Sequence, residues 1–328
     1  MTLWLSVLLL IIGFLLLVKG ADFFVDGASN IARVFRVSSL IIGLTVVAFG
    51  TSLPEAAVSI SSALAGVDDV SFGNIIGSNI FNTALILGVS ALVIPQVVHL
   101  DLIKRDLPIN VLAVLILIPF FFLFSQTTNL VNRFEGVVLL FMLAGFMYLI
   151  LKDAKNMRNL DPHQLAEAKE IKAPDMSIKK AIILTLIGMA GIVFGGILVT
   201  NSARDIAIEL GMSEWLVGLT IVSVGTSLPE LVTSVVAAFK KESDIAIGNI
   251  VGSNIFNILF ILGMTAFINP VSLNASAIID VVILLGITSF VLVVAYFKRH
   301  VGRLNGFILL MSYIAYLVYI ILRDTPTL

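Results

Sequence analysis

The chain has 328 residues, of which 59% are hydrophobic and only 12% charged, and its net charge is −1. Soluble domains carry roughly 25% charged residues, so the composition excludes an ordinary soluble domain, and the balanced charge gives no reason to expect a nucleic-acid partner. No cysteine is present, which excludes disulfides, thiolate metal sites and cysteine nucleophiles.

A helix needs about 20 apolar residues to cross a bilayer core. Ten such stretches can be marked, at approximately 3–19, 38–64, 71–95, 107–125, 134–151, 181–203, 214–239, 245–270, 277–297 and 304–322. Their apolar runs are continuous rather than short and alternating, which predicts helices and not barrel strands. No basic residue precedes Lys19, so the first run reads as a span and not as a secretory signal. His99, His163 and His300 fall in polar connectors, which argues against a buried histidine metal site. The one long polar connector runs from Lys152 to Lys180. It divides the chain into a first five-helix unit (1–152), a loop (153–178) and a second five-helix unit (179–328).

Lysine and arginine counts orient these spans. Connectors after the odd-numbered spans hold sixteen of them, from Arg33 and Arg36 to Lys298, Arg299 and Arg303; the opposite side holds three, Arg133, Arg204 and Arg323. Both termini are therefore expected outside, with loop 153–178 in the cytoplasm. That orientation implies a multi-pass protein of the cell membrane.

Two segments recur. The stretch Gly43–Glu55, ending Gly-Thr-Ser-Leu-Pro-Glu, returns as Gly218–Glu230, and Gly73–Asn82 returns as Gly248–Asn257. Each copy lies 175 residues after the first, and Pro95 and Pro270 keep the same offset. Five spans separate the copies, an odd number, so they enter the membrane from opposite sides. This is the inverted-repeat plan of secondary transporters, which bind substrate near mid-membrane where the repeats meet.

Glu55 and Glu230 fall deep within their spans, where an ionised carboxylate costs several kcal/mol or more unless compensated. Neither has a lysine or arginine nearby in its own span, so the compensating charge is a proton or a bound cation. On a continuous helix Thr51 and Ser52, four and three residues earlier, project close to Glu55. Pro54 and Pro229 lack an N–H and clash with the carbonyl four residues back, so each should kink or unwind its helix and free carbonyls as ligands. Ser78 and Asn82 share a helix face at i, i+4, as do Ser253 and Asn257; the asparagines serve either as ligands or as interhelical hydrogen-bonding groups. Asn79 and Asn254 point elsewhere, as structural residues. Gly73/Gly77 and Gly248/Gly252 allow close helix approach. Asp22, Asp26 and Asp280 read as interfacial or helix-terminal acids. The donor set is all oxygen, which suits Ca²⁺, Mg²⁺ or Na⁺ rather than zinc or copper.

At these residues the sequence resembles the sodium/calcium exchanger family of the cation/calcium antiporters, in its prokaryotic, potassium-independent form. The resemblance implies an all-α membrane fold of ten helices in two inverted five-helix repeats, with helices 2 and 7 broken. It implies Ca²⁺ ligands at Glu55, Glu230, Thr51 and Thr226, the threonines acting through backbone oxygen. Sodium sites would use Ser52, Ser78, Ser227, Ser253, the carbonyls of Ala48 and Ser223, and the two glutamates, with Asn82 and Asn257 closing the middle. Family members exchange three Na⁺ for one Ca²⁺ by sliding spans 1 and 6 across the core. Asn257 stands where potassium-dependent relatives carry Asp, which implies no K⁺ requirement and, with two carboxylates against three Na⁺, electrogenic exchange. The 153–178 loop is too short for the cytosolic calcium-sensing domains of animal exchangers. No enzyme activity or cofactor is expected, Na⁺, Ca²⁺ and the lipid bilayer being the partners; the sequence leaves the oligomeric state open. A proton/calcium antiporter is the nearest alternative, and a cation channel a more distant one.

Overall fold

The computed structural model describes residues 3–66, 68–123, 130–158, 174–212, 223–272 and 277–324. The helices are α1 (Leu3–Phe35), α2 (Ser39–Thr51), α3 (Leu53–Leu64), α4 (Ser71–Val93), α5 (Leu107–Leu115), α6 (Leu117–Leu123) and α7 (Arg133–Arg158). After the connector come α8 (Ile178–Glu209), α9 (Leu228–Phe239), α10 (Ser243–Ile268), α11 (Ala277–Lys298) and α12 (Arg303–Asp324). A one-turn helix, Ser223–Gly225, precedes α9. Among the described residues seven helices are long and apolar enough to cross a membrane, or eight when the bent pair α2–α3 counts as one span. The expected fourth span is divided between α5 and α6. The first part of the expected seventh, residues 213–222, lies outside the described residues, as does most of the 153–178 connector.

The fold is organised around α4 and α10. In their most apolar windows 78% and 89% of residues are buried, against 22% for α1 and 33% for α8, so the first two are core and the others present much of their surface outward. Against α10 pack α2 on one side and α7 on another; α12 lies along α4. Gly248 and Gly252 make the α2–α10 approach possible. A Cβ on Gly252 would lie 2.7 Å from the Leu44 carbonyl oxygen and 2.7 Å from the Ala48 Cβ. At Gly73 and Gly77 an added Cβ meets nothing within 4 Å among the described residues. Their counterpart of the Gly43–Val47 segment, 218–222, lies outside the described residues.

The α1 and α8 helices form a pair of their own, extensively packed and antiparallel. Gly13 meets Val199, Gly20 meets Gly188 and Ile192, and Gly27 meets Ala181 and Thr185, so the partner number falls as the α1 number rises. Both helices outrun the expected spans: α1 has 33 residues and α8 has 32. At 1.5 Å per residue that is about 50 Å, well beyond the roughly 30 Å of a bilayer core. Two antiparallel ladders of two residues each tie connectors together: β1 (Gln96–Val97) pairs with β4 (His300–Val301), and β2 (Leu130–Val131) with β3 (Val271–Ser272).

Candidate cation site

The site begins with a break. From Ser39 the second span runs as α-helix, takes a wider π-helical turn over Gly43–Val47, and returns to α-helix over Ala48–Thr51. Ser52 then leaves helical geometry (φ −84°, ψ 6°), and α3 sets off at 49° to α2. Pro54 sits in the first turn of α3, where its missing N–H has no intrahelical partner to lose. The second copy behaves alike: Ser227 (φ −92°, ψ 5°) precedes α9, with Pro229 in the first turn. Helix breaking at Pro54 and Pro229 is thus located two residues upstream, at the serines. The breaks place Glu55 and Glu230 in the first turns of α3 and α9, where the helix dipole favours negative charge.

Both glutamates are fully buried. The Ser52 hydroxyl does not approach Glu55, as a continuous helix would require; it donates to Glu230 Oε1 at 2.9 Å. Reciprocally, the Ser227 hydroxyl donates to Glu55 Oε1 at 2.9 Å and lies 3.0 Å from the Ser78 hydroxyl. The physical reason for this correction is the break itself: once Ser52 leaves the helix, the i, i+3 geometry no longer applies, and its side chain turns toward the other half of the chain. Thr51 likewise spends its hydroxyl away from Glu55, on Asn249 Oδ1 at 3.0 Å and on the Ala48 carbonyl at 3.3 Å. Thr226 donates to Asn74 Oδ1 at 3.3 Å.

Asn74 and Asn249 are the residues that sequence reasoning missed. The Asn74 amide donates to Ser59 at 2.9 Å and to the Glu55 carbonyl at 3.4 Å; the Asn249 amide donates to Ser234 at 3.0 Å and to the Glu230 carbonyl at 3.5 Å. Each asparagine therefore holds the start of the broken helix in its own half while accepting from the threonine of the other. Their presence in both copies of the Gly-Asn-Ile repeat was the available signal.

The remaining expected residues converge on the same region. Ser78, Asn82, Ser253 and Asn257 are buried on α4 and α10, and Ser253 reaches toward the Ala48 carbonyl at 3.5 Å. Asn82 and Asn257 lie in π-helical turns, Phe81–Ile86 and Asn257–Leu262, a helix irregularity frequent at functional sites. Asn79 and Asn254 interlock the two central helices. Asn79 donates to the Asn254 carbonyl at 3.3 Å, Asn254 donates to Thr83 at 2.6 Å, and Asn257 donates to Asn79 Oδ1 at 3.2 Å. Asn79 thus orients Asn257 and is not remote from the site. Ser223 begins the one-turn helix ahead of α9. Asp280 is outside the constellation, bound through both carboxylate oxygens to Arg323 at 3.0 Å.

Several buried polar atoms here have no hydrogen-bond partner: Glu55 Oε2, Glu230 Oε2, Asn257 Oδ1 and both amide atoms of Asn82. Leaving such an atom unsatisfied costs about 1–3 kcal/mol, more for a charged group. Four of these five atoms are oxygens, on carboxylates and amides, the donors that hard cations prefer. This donor set fits hard cations such as Na⁺ and Ca²⁺.

The family model described as sodium/calcium exchanger protein matches residues 5–152 and 180–322. A putative antiporter, CaxA, of Alkalimonas amylolytica is 38% identical over 315 residues, covering 95% of this chain and 97% of its own. The sodium/calcium exchanger MaX1 of Methanosarcina acetivorans is 32% identical over 343 residues, with 95% and 97% coverage. Structures of the sodium–calcium exchanger NCX_Mj superpose on the fold. The one soaked with 10 mM Na⁺ and 10 mM Sr²⁺ gives a TM-score of 0.83 at 29% identity, covering 99% of this chain and 100% of that one.

Proposed function

The chain belongs to the sodium/calcium exchanger family, and we propose that it is an antiporter exchanging three Na⁺ for one Ca²⁺ through the site between its two halves. As a family member it is a membrane cation/calcium antiporter. Our reading adds ten spans in two inverted five-helix repeats (1–152 and 179–328), with the second and seventh broken at Ser52 and Ser227. The antiparallel packing of α1 on α8 supports the inversion.

One observation carries the reading: each glutamate is bound by a serine of the opposite half, and each keeps one carboxylate oxygen unpartnered. Ca²⁺ would take Glu55 and Glu230 with the Thr51 and Thr226 carbonyls. The Thr51 and Thr226 hydroxyls donate to Asn249 and Asn74 of the opposite half. Sodium ions would take Ser52, Ser78, Ser227, Ser253, the Ala48 and Ser223 carbonyls and shared glutamate oxygens, with Asn82 and Asn257 between. Because Na⁺ and Ca²⁺ draw on the same carboxylates, binding of one displaces the other, and that competition couples their movements. Two carboxylates balance one Ca²⁺ but not three Na⁺, so the sodium-loaded step moves net charge. The positive-inside bias supports a reading with both termini outside, in a cell membrane.

Glu55→Gln and Glu230→Gln test the assignment. Each should lower Ca²⁺ uptake at least a hundredfold, about 3 kcal/mol, with an unchanged size-exclusion profile. Near-normal uptake in either variant contradicts the site.

A further inference from the structure

The ten-span reading makes the halves equivalent, yet one end of the molecule carries a set of ion pairs that its counterpart cannot make. Lys240 immediately follows α9 and is partly exposed. Its ammonium reaches Asp22 Oδ1 at 2.7 Å and Asp26 Oδ1 at 2.6 Å, both on α1, and also the Asp22 carbonyl at 2.9 Å. Burial alone would lower the Lys240 pKa, but the hydrogen bonds and charge of the two aspartates outweigh it and hold the ammonium above its usual range. Further along α1, Arg33 pairs with Glu242 of the core at 3.0 Å and with Asp175, just ahead of α8. Asn30, buried beside it, accepts from the Asp175 N–H at 2.8 Å and donates to the Met176 carbonyl at 2.9 Å. Together these contacts gather the start of α8 onto α1 and fasten α1 to the core.

The 175-residue offset gives the counterparts on the opposite face. Lys240 corresponds to Ala65, Asp22 to Ile197, Asp26 to Asn201, Arg33 to Ile208 and Glu242 to Val67. None of these five positions carries a charge, so these particular pairs are not repeated there. Packing differs in the same sense. The α1 helix lies along α9, whereas α8 has no comparable packing on α3 among the described residues. Ala237 and Pro229 on α9 are buried, while their counterparts Ser62 and Pro54 on α3 are half-buried.

We propose that Asp22, Asp26, Arg33, Lys240 and Glu242 form a latch that holds the α1–α8 pair closed over the basic, cytoplasmic face. Two conformations exchanged by a perfect inverted repeat would be equal in energy. The latch breaks that equality, so the ion-free exchanger rests with its site open to the other side. Reaching the cytoplasm then requires α1 to leave Lys240 and Glu242, and among the described residues no counterpart of these pairs restrains the opposite movement.

The inference rests on the alternating-access reading but is tested without transport. The chain has no cysteine, so Ala237→Cys and Ser62→Cys each give a single thiol, one near each face. In ion-free proteoliposomes of known orientation, a membrane-impermeant maleimide reports the exposure of each. Lys240→Ala should speed labelling at position 237 from the cytoplasmic side by roughly three- to tenfold, as the loss of partly exposed ion pairs allows, and slow it at 62 from the other side by about twofold, the limit when the two states become equal. Asp22→Asn combined with Asp26→Asn should do the same, and carries the test if Lys240→Ala does not fold. Unchanged labelling overturns the latch. So does faster labelling at 237 with none lost at 62, which is local fraying and not a shift between states. Unchanged labelling with sodium-driven calcium flux intact removes the latch alone; shifted labelling without such flux removes the exchange reading alone.

Discussion

Glu55 and Glu230 each depend on a hydroxyl from the far half of the chain. A hydrogen bond to a charged group contributes about 1.5–3 kcal/mol. On the proposed reading Ser52 and Ser227 have two tasks: they hold the carboxylates between ions and supply oxygen to the ions themselves. Ser227→Ala should raise the half-saturating Na⁺ concentration about tenfold, measured as sodium-dependent calcium efflux, and Ser52→Ala should do likewise through Glu230. An effect smaller than twofold in both would separate these hydroxyls from ion binding. The residue types at the site were legible in the sequence because few polar groups interrupt its apolar spans. Their pairing was not, since the i, i+3 and i, i+4 rules that linked Ser52 and Thr51 to Glu55 presume a continuous helix. Asn74 and Asn249 escaped for a related reason: what marks them is contact across the halves, which spacing along one helix does not encode.

At the scale of elements, glycine decides where helices can meet. A Cβ on Gly188 would stand 2.5 Å from the Phe24 backbone nitrogen and 2.7 Å from the Gly20 carbonyl oxygen. Neither atom can yield by a side-chain rotation, so Gly188→Ala must push α8 off α1. The expected cost is about 1–3 kcal/mol, read as a lower thermal midpoint in detergent, with exchange reduced in parallel. An unchanged midpoint would mean that the pair has slack. Apolar runs revealed the existence of most spans, and Pro54 and Pro229 revealed the breaks. Run length failed at α1, which continues sixteen residues past its expected end through Asp22–Phe35, and at α8, which outruns its span by three residues at the start and six at the end; in these extensions polar and charged residues mix with apolar ones. Such residues end a bilayer span without ending a helix. The π-helical turns that carry Asn82 and Asn257 have no sequence signature comparable to proline and were not foreseen.

Across the whole molecule, two similar halves meet at a buried all-oxygen site, and a long helix pair lies outside the core that holds it. An arrangement of this kind can present one site to either side by moving α1 and α8 against α2–α5 and α9–α11, without unpacking α4 from α10. The asymmetry at Lys240 gives the two resting positions different energies. Because Asn257 contributes no charge, external K⁺ should leave the exchange rate unchanged, and an inside-negative potential should alter it. The measurement closest to the central claim is ⁴⁵Ca²⁺ uptake into proteoliposomes under an outward sodium gradient, with pH clamped equal on both sides. The account predicts uptake that rises with the sodium gradient, disappears when sodium is equal across the membrane, and is lost in Glu55→Gln. Uptake that ignores sodium and appears only when a pH gradient is imposed would contradict it.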